Sequence, residues 1–212
     1  MKAFLNAVES SQHCQRNWDL SREIDPEHIK IFEEVVKNVP SKQNIAYYKV
    51  HFITNRSIIE EIYQWTMTEF SEKNTDFYNP QVLANLLVAF EAYYDINEDE
   101  IDQNIKEKNM NSVRYNEYTI DIDRHQAIGI ASGVLALTAN YLGYKTGFCK
   151  CFKIEKVSRI LKCGNKVRDN PIEILLGIGY PNNDILHTTH HIFDNLQVKP
   201  LPKAEIPVIK LP

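Results

Sequence analysis

Two thiols two positions apart, Cys149-Lys150-Cys151, and three imidazoles, His187, His190 and His191, are the side chains whose type and spacing could do chemistry. The thiol pair, joined by Cys14 or Cys163 and a histidine, has the composition of a zinc set. However, structural zinc sites usually space paired cysteines by about two to four residues. The alternative is a set of buried or pocket-lining thiols, and no metal ligand set is assigned here. The three histidines fall at i, i+3 and i+4, on one face if that segment is helical. They suit ligation, cationic contacts to an anion, or a plain polar surface cluster. No G-x-G-x-x-G follows a strand, and G-x-x-x-x-G-K-[ST], G-x-S-x-G and H-E-x-x-H do not occur. A nicotinamide used by this chain is therefore not held by a dinucleotide fingerprint.

The 212 residues suffice for one substantial core, so a single domain over 1–212 is expected, and 43% hydrophobic with 25% charged residues is ordinary for a globular chain. A formal charge of −4 without a basic run argues against a nucleic-acid surface, whose affinity comes largely from Lys and Arg on phosphates. The longest apolar stretch, 128–142, is interrupted by Gly129, Ser132, Gly133, Thr138 and Asn140, which argues against a membrane span. The N-terminus reaches Glu9 too soon for a signal-peptide apolar region, so a cytoplasmic protein is expected. Four cysteines are few enough to expect free thiols. All seven glycines fall between 129 and 179. Either helix ends and chance put them there, or this is where the chain crowds against something.

Elements that would position these side chains can be read from periodicity. Phe4, Leu5 and Val8 mark a helix over 2–11. Asp25 and Pro26 form an N-cap and N1 pair for a second helix, with Ile29, Phe32, Val36 and Val39 on its apolar face, ending at Pro40. Residues 49–54 read as a short strand. Asn55 caps a third helix carrying Ile58, Ile62, Trp65 and Phe70. Residues 82–94 are nearly all apolar, and periodicity alone does not separate strand from helix there. The charged, anchor-poor run from 95 reads as a solvated excursion extending to 123 and as the place for a mobile cover. Residues 124–142 form the longest helix, rich in Ala, Gly and Ser, suited to a core or a subunit interface and closed by Gly143. A helix over 154–162 ended by Gly164 follows, then a buried strand over 172–178. Beyond 195 four prolines preclude a helix and leave an extended arm.

Four stretches resemble the FMN-dependent nitroreductase family. The family's R-R-S-x-R-x-F corresponds to Gln12-His13-Cys14-Gln15-Arg16-Asn17-Trp18, where Arg16 and the aromatic survive. Its A-P-S-x-x-N-x-Q is matched by Val39-Pro40-Ser41-Lys42-Gln43-Asn44 and then lapses. Asn79-Pro80-Gln81-Val82-Leu83-Ala84 is similar to the segment supplying an asparagine to the flavin. Lastly, a small-residue helix ending Tyr141-Leu142-Gly143, a crossing segment 146–152 and Leu176-Gly177-Ile178-Gly179-Tyr180-Pro181 follow the family's order and spacing.

That resemblance implies an α+β fold, a three-layer sandwich with a mostly antiparallel central sheet flanked by helices. It also implies an intertwined homodimer with two FMN sites at its interface and the arm from 195 to 212 lying on the partner. Gln12, His13, Cys14 and Arg16 would lie along the phosphate, ribityl chain and pyrimidine edge. Pro40, Ser41, Lys42 and Asn44 would come from the other subunit. Asn79 would reach the ring, and Phe148, Cys149, Lys150 and Cys151 would line its face, with a backbone N–H directed at N5. Arg16 would stabilise the negative charge that reduction leaves on the ring. The implied reaction is ping-pong hydride transfer from NAD(P)H through FMN to a nitroaromatic, a quinone or a similar small electrophile, with no catalytic side-chain acid or base required.

The chain departs from the family pattern at Gln12, where an arginine is lost. The C-terminal Lys-x-Arg that usually holds the phosphate has no basic counterpart except His187, His190 and His191, which puts His190 and His191 among the expected cofactor contacts. Lys150-Cys151 replaces Glu-Gly or Gly-Gly beside N5, and Lys150 would favour an anion there or point to solvent. The alternative to a reductase is a protein of this fold that binds flavin or another planar ligand without turning over NAD(P)H.

Overall fold

Four strands pair into one antiparallel sheet because each presents a buried apolar face to a helical layer. They are β1 (Tyr48–Ile53), β4 (Leu86–Ala92), β5 (Lys145–Cys149) and β6 (Ile172–Gly179), in the order β1-β4-β6-β5. A separate short pair joins β2 (Thr68–Phe70) to β3 (Thr75–Phe77). The computed structural model describes residues 1–66, 68–70, 75–93, 117–164, 171–184, 186 and 203–211. The run 95–116 and the three histidines at 187, 190 and 191 lie outside the described residues.

β4 is buried at every position, which settles the ambiguity of that apolar run in favour of a central strand. Its side chains alternate: Leu86, Val88 and Phe90 join one cluster, Leu87 and Ala89 the other. The first cluster is closed by α2 (Pro26–Asn38) through Phe32 and Val36, and by α4 (Glu117–Tyr141) through Ile128, Ala131, Leu135 and Ala139. The second is closed by α3 (Arg56–Tyr63) through Ile59 and Ile62, and by α5 (Ile154–Ile160) through Val157. The result is the expected α+β sandwich of helices on both faces of an antiparallel sheet.

A register shift interrupts β4 and β6: Phe90 faces Ile174 while Glu91 faces Ile172, leaving Glu173 as the extra residue of a bulge. Glu173 is thereby turned toward α4, where its carboxylate accepts from Arg124 Nε at 2.9 Å and pairs with His125 at 3.1 Å. Arg124 is fully buried, and its second ion pair, to Asp121, lies one helical turn back.

Capping residues act as the sequence implies. The Asp25 carboxylate accepts from the Glu27 N–H at 2.9 Å, and Asn55 Oδ1 accepts from Ser57 and Ile58. Gly143 takes φ 91 and closes α4 in a Schellman turn, with Tyr144 N–H on the Ala139 carbonyl and Gly143 N–H on Asn140.

Four boundaries differ from the sequence reading: the apolar run from 82 opens with the end of a 3-10 turn, Pro80–Val82, and its strand starts only at Leu86. α3 stops at Tyr63, because Trp65 and Thr66 turn back to Ile62 and Tyr63, so Phe70 belongs to β2. α4 starts at Glu117, so the excursion expected to reach 123 is helical over its last seven residues, 117 to 123. α5 ends before Gly164: Lys162 itself takes φ 53 and completes the Schellman turn, with Cys163 N–H on the Ser158 carbonyl at 2.8 Å. Residues 203–211 form neither helix nor strand and expose Ile206, Val208, Ile209 and Leu211.

A left-handed lysine is strained where glycine is not. Lys162→Gly is therefore expected to raise unfolding free energy by about 0.5–1 kcal/mol, read as a shift of the urea midpoint at constant slope.

Candidate functional site

β5 is an edge strand, so alternate carbonyls point away from the sheet and need donors from elsewhere. Two other segments supply them. Gln15 N–H donates to the Thr146 carbonyl at 2.9 Å, and Gln81 Nε2 donates to the Phe148 carbonyl at 3.3 Å. Three stretches far apart in sequence, 12–18, 79–81 and 145–151, are thereby held along one strand.

This approach is possible only because residue 147 has no side chain. A Cβ on Gly147 would lie 2.5 Å from the Gln15 carbonyl oxygen and 2.6 Å from Gln81 Cβ. Gly177 is likewise pressed against the Gln81 carbonyl. The crowding at Gly147 and Gly177 is thus internal to the chain, whereas a Cβ on Gly129 or Gly133 of α4 would meet nothing within 4 Å among the described residues.

Polar side chains lock the frame. Ser10 Oγ, at the end of α1 (Lys2–Ser11), donates to Asn140 Oδ1 at 2.7 Å and accepts from Lys145 Nζ at 2.5 Å. Asn140 Nδ2 continues to Thr146 Oγ1 at 3.0 Å. Gln15 Nε2 donates to the Asn17 carbonyl and amide oxygens at 2.7 and 2.8 Å, and Trp18 Nε1 donates to the Pro80 carbonyl at 2.9 Å. The loop after α1 is therefore fixed at its start, middle and end.

Arg16 Nη1 donates to the Cys14 carbonyl at 3.2 Å, and Cys14 Sγ lies 3.9 Å from the Phe148 carbonyl oxygen. Burial pushes the Cys14 thiol up, with the Arg16 charge pulling partly the other way. Gln12 and His13 are exposed at the same loop. Asn79 Nδ2 donates to the carbonyls of Thr66 at 2.6 Å and Cys151 at 3.1 Å, so both its amide hydrogens hold the chain itself. Its Oδ1 accepts from Gln81 at 3.3 Å.

The Cys149 thiol packs into the core beside α3 and α5, and burial pushes it up to about 12. Cys151 and Lys150 are exposed, and all four cysteines are free. Neither Cys149 nor Cys151 belongs to a converging group of three ligand side chains among the described residues. The buried-thiol reading of C-x-C therefore fits Cys149.

The structure thus brings Cys14, Arg16, Asn79, Phe148, Cys149 and Cys151 to one edge. It places Pro40, Ser41, Lys42 and Asn44 elsewhere, beside β1 at the opposite edge of the sheet. Three strand spacings, about 14 Å, separate those edges. Ser41 and Asn44 there border a hollow of about 330 Å³ with Val39, Tyr48 and Val50, and Lys42 Nζ pairs with Asp123 at 2.5 Å. Sequence reasoning missed Gln81, Thr66, Asn140 and Ser10. Each is a lone polar residue without a spacing signal.

Gln81 is the most informative of these. It is buried, and its Oε1 has no hydrogen-bond partner among the described residues. A buried acceptor without a donor costs about 1–3 kcal/mol.

No family model matches the chain, and no curated protein matches it in sequence. Solved structures do match in fold. The nitroreductase family protein from Streptococcus pneumoniae TIGR4 superposes with a TM-score of 0.64 at 17% identity, covering 96% of each chain. A nitroreductase-like protein from Streptococcus mutans gives a TM-score of 0.68 at 16% identity, over 86% of this chain and 91% of that one. A putative nitroreductase from Exiguobacterium sibiricum, solved in complex with FMN, gives 0.64 at 16% identity over 94% and 93%. This chain has the nitroreductase fold.

Two outcomes follow from the geometry. Gly147→Ala should cost about 1–3 kcal/mol, measured by urea unfolding, because backbone and not a flexible side chain stands in the way. Iodoacetamide at pH 8 should label Cys151 in the folded protein well before Cys149, whose thiol stays protonated below about 12, as read by peptide mass spectrometry.

Proposed function

We propose that this chain is an FMN-dependent NAD(P)H oxidoreductase of nitroreductase type, acting on a nitroaromatic, a quinone or a similar small electrophile. The observation that carries this reading is the convergence of residues 12–16, 79–81 and 147–151 on one sheet edge, in a fold shared with a protein solved with FMN. These are the segments in which the sequence resembles the family.

The residues present fit a flavin ring. Gln81 Oε1 is a buried acceptor awaiting a donor, and an isoalloxazine carries a ring N–H among its acceptors. Arg16, anchored on the Cys14 carbonyl, brings positive charge to the edge where reduction of such a ring leaves negative charge. Phe148 and the 149–151 backbone, held by Gln81 and Asn79, would form one wall of the ring's slot. The flavin, when bound, supplies hydride acceptance from the nicotinamide and electron delivery to the acceptor. The protein's part is to orient both reactants in turn and to hold charge at Arg16.

The site is completed by a second copy. Pro40, Ser41, Lys42 and Asn44, stranded at the far edge of their own sheet, would reach the ring of the partner. Support comes from the outer faces of α4 and α1. Ile130, Val134 and Tyr141 are exposed beside the open surfaces of Gly129 and Gly133, with Phe4, Leu5 and Val8 exposed nearby. Phosphate contacts would fall to His13 and to His190 and His191, which replace the family's basic residues.

The loss of those basic residues motivates the second reading, a flavin-binding protein of this fold without NAD(P)H turnover. Anaerobic addition of NADPH or NADH to the FMN-loaded protein discriminates the two. Loss of the yellow absorbance supports the reductase, and absorbance unchanged by either nucleotide supports the second reading. In the reductase, Arg16→Ala should slow flavin reduction about ten- to a hundred-fold in stopped flow while Gln12→Ala changes it little.

A further inference from the structure

At the opposite edge of the sheet from β5, three ligand-type side chains from three elements converge. His51 on β1 and Glu91 on β4 project to the same face, since Ala89 is the partner of His51 and Glu91 lies two residues on. His51 Nε2 is 2.7 Å from Glu91 Oε2, and Cys163 Sγ is 3.5 Å from the same Nε2. All three ligand atoms lie within 4.8 Å of one another, and this is the one such group among the described residues.

We propose that His51, Glu91 and Cys163 form a three-ligand site for a divalent transition metal of zinc's class, tying the turn after α5 to the β1 edge. The dimensions suit it. Tetrahedral zinc, with bonds of about 2.0 Å to N and O and about 2.3 Å to S, separates N from O by about 3.3 Å and N from S by about 3.6 Å. The sulfur is already at that spacing from Nε2, and the carboxylate has to withdraw by only about half an ångström.

The chemistry points the same way. One imidazole, one carboxylate and one thiolate balance a divalent charge, and mixed N, O and S donors favour zinc over the hard cations. On binding, the thiol proton leaves to solvent as the sulfur bonds the metal. The left-handed Lys162 gives the cluster its third member, because the Schellman turn it closes places Cys163 over the sheet. The neighbouring cation, Lys49, has its ammonium over the Tyr93 ring at 4.1 Å. Glu91 is nearly fully buried whereas the His51 side chain is 29% exposed, which leaves the metal a route in and a fourth position for water.

The test uses the full chain stripped with a chelator and then titrated with Zn²⁺ alone against a chromophoric competitor, and in parallel with Co²⁺. One equivalent of Zn²⁺ per chain is expected, together with a thiolate-to-cobalt charge-transfer band. The band should vanish in Cys163→Ser and persist in Cys151→Ser. His51→Gln should weaken Zn²⁺ affinity at least about ten-fold, and its partial exposure keeps that variant folded, as checked by circular dichroism. Absence of stoichiometric binding, or a charge-transfer band that survives Cys163→Ser and disappears in Cys151→Ser, would overturn the proposal.

Discussion

The contact on which the rest of the structure depends is the one between the backbone of Gly147 and the two residues pressed against it, Gln15 and Gln81. An edge strand has carbonyls without partners and therefore recruits whatever can come close enough to donate. With no Cβ at 147, a loop and a short 3-10 turn from distant parts of the chain both come within hydrogen-bonding range of β5. Every side chain at the candidate site takes its position from that convergence. Arg16 is fixed through the loop, and the 149–151 backbone through the strand and through Asn79.

A frame of this kind tolerates divergence of the side chains it carries. The fold is shared with solved structures at 16 to 17% identity, and in this chain a small-residue helix, a glycine-bearing edge strand and a strand closing in Gly-Tyr-Pro set the positions.

Much of the frame is legible in the sequence because it rests on local rules. Asp25-Pro26 and Asn55 announce helix starts, Gly143 announces a helix end, and the Pro-bounded apolar run at 172–178 announces a buried strand. What is not legible depends on distance in the chain. Ser10, Gln81 and Asn140 look like incidental polar residues until folding brings them to β5. His51, Glu91 and Cys163 are separated by too many residues to form a spacing motif. Lys162 is hidden for the opposite reason: a local rule pointed to Gly164, and tertiary packing around Cys163 placed the left-handed residue two positions earlier. Pro40, Ser41, Lys42 and Asn44 lie beside β1, at the other edge of the sheet from β5, and their assignment to a partner's site rests on the resemblance.

The proposed function requires a ring held between two copies of this chain, each giving one sheet edge. Native mass spectrometry of the full chain incubated with excess FMN tests that directly. The account predicts a species of two chains and two FMN, and no FMN retained on a single chain. A monomer at micromolar concentration, or a dimer that carries no FMN, would contradict it.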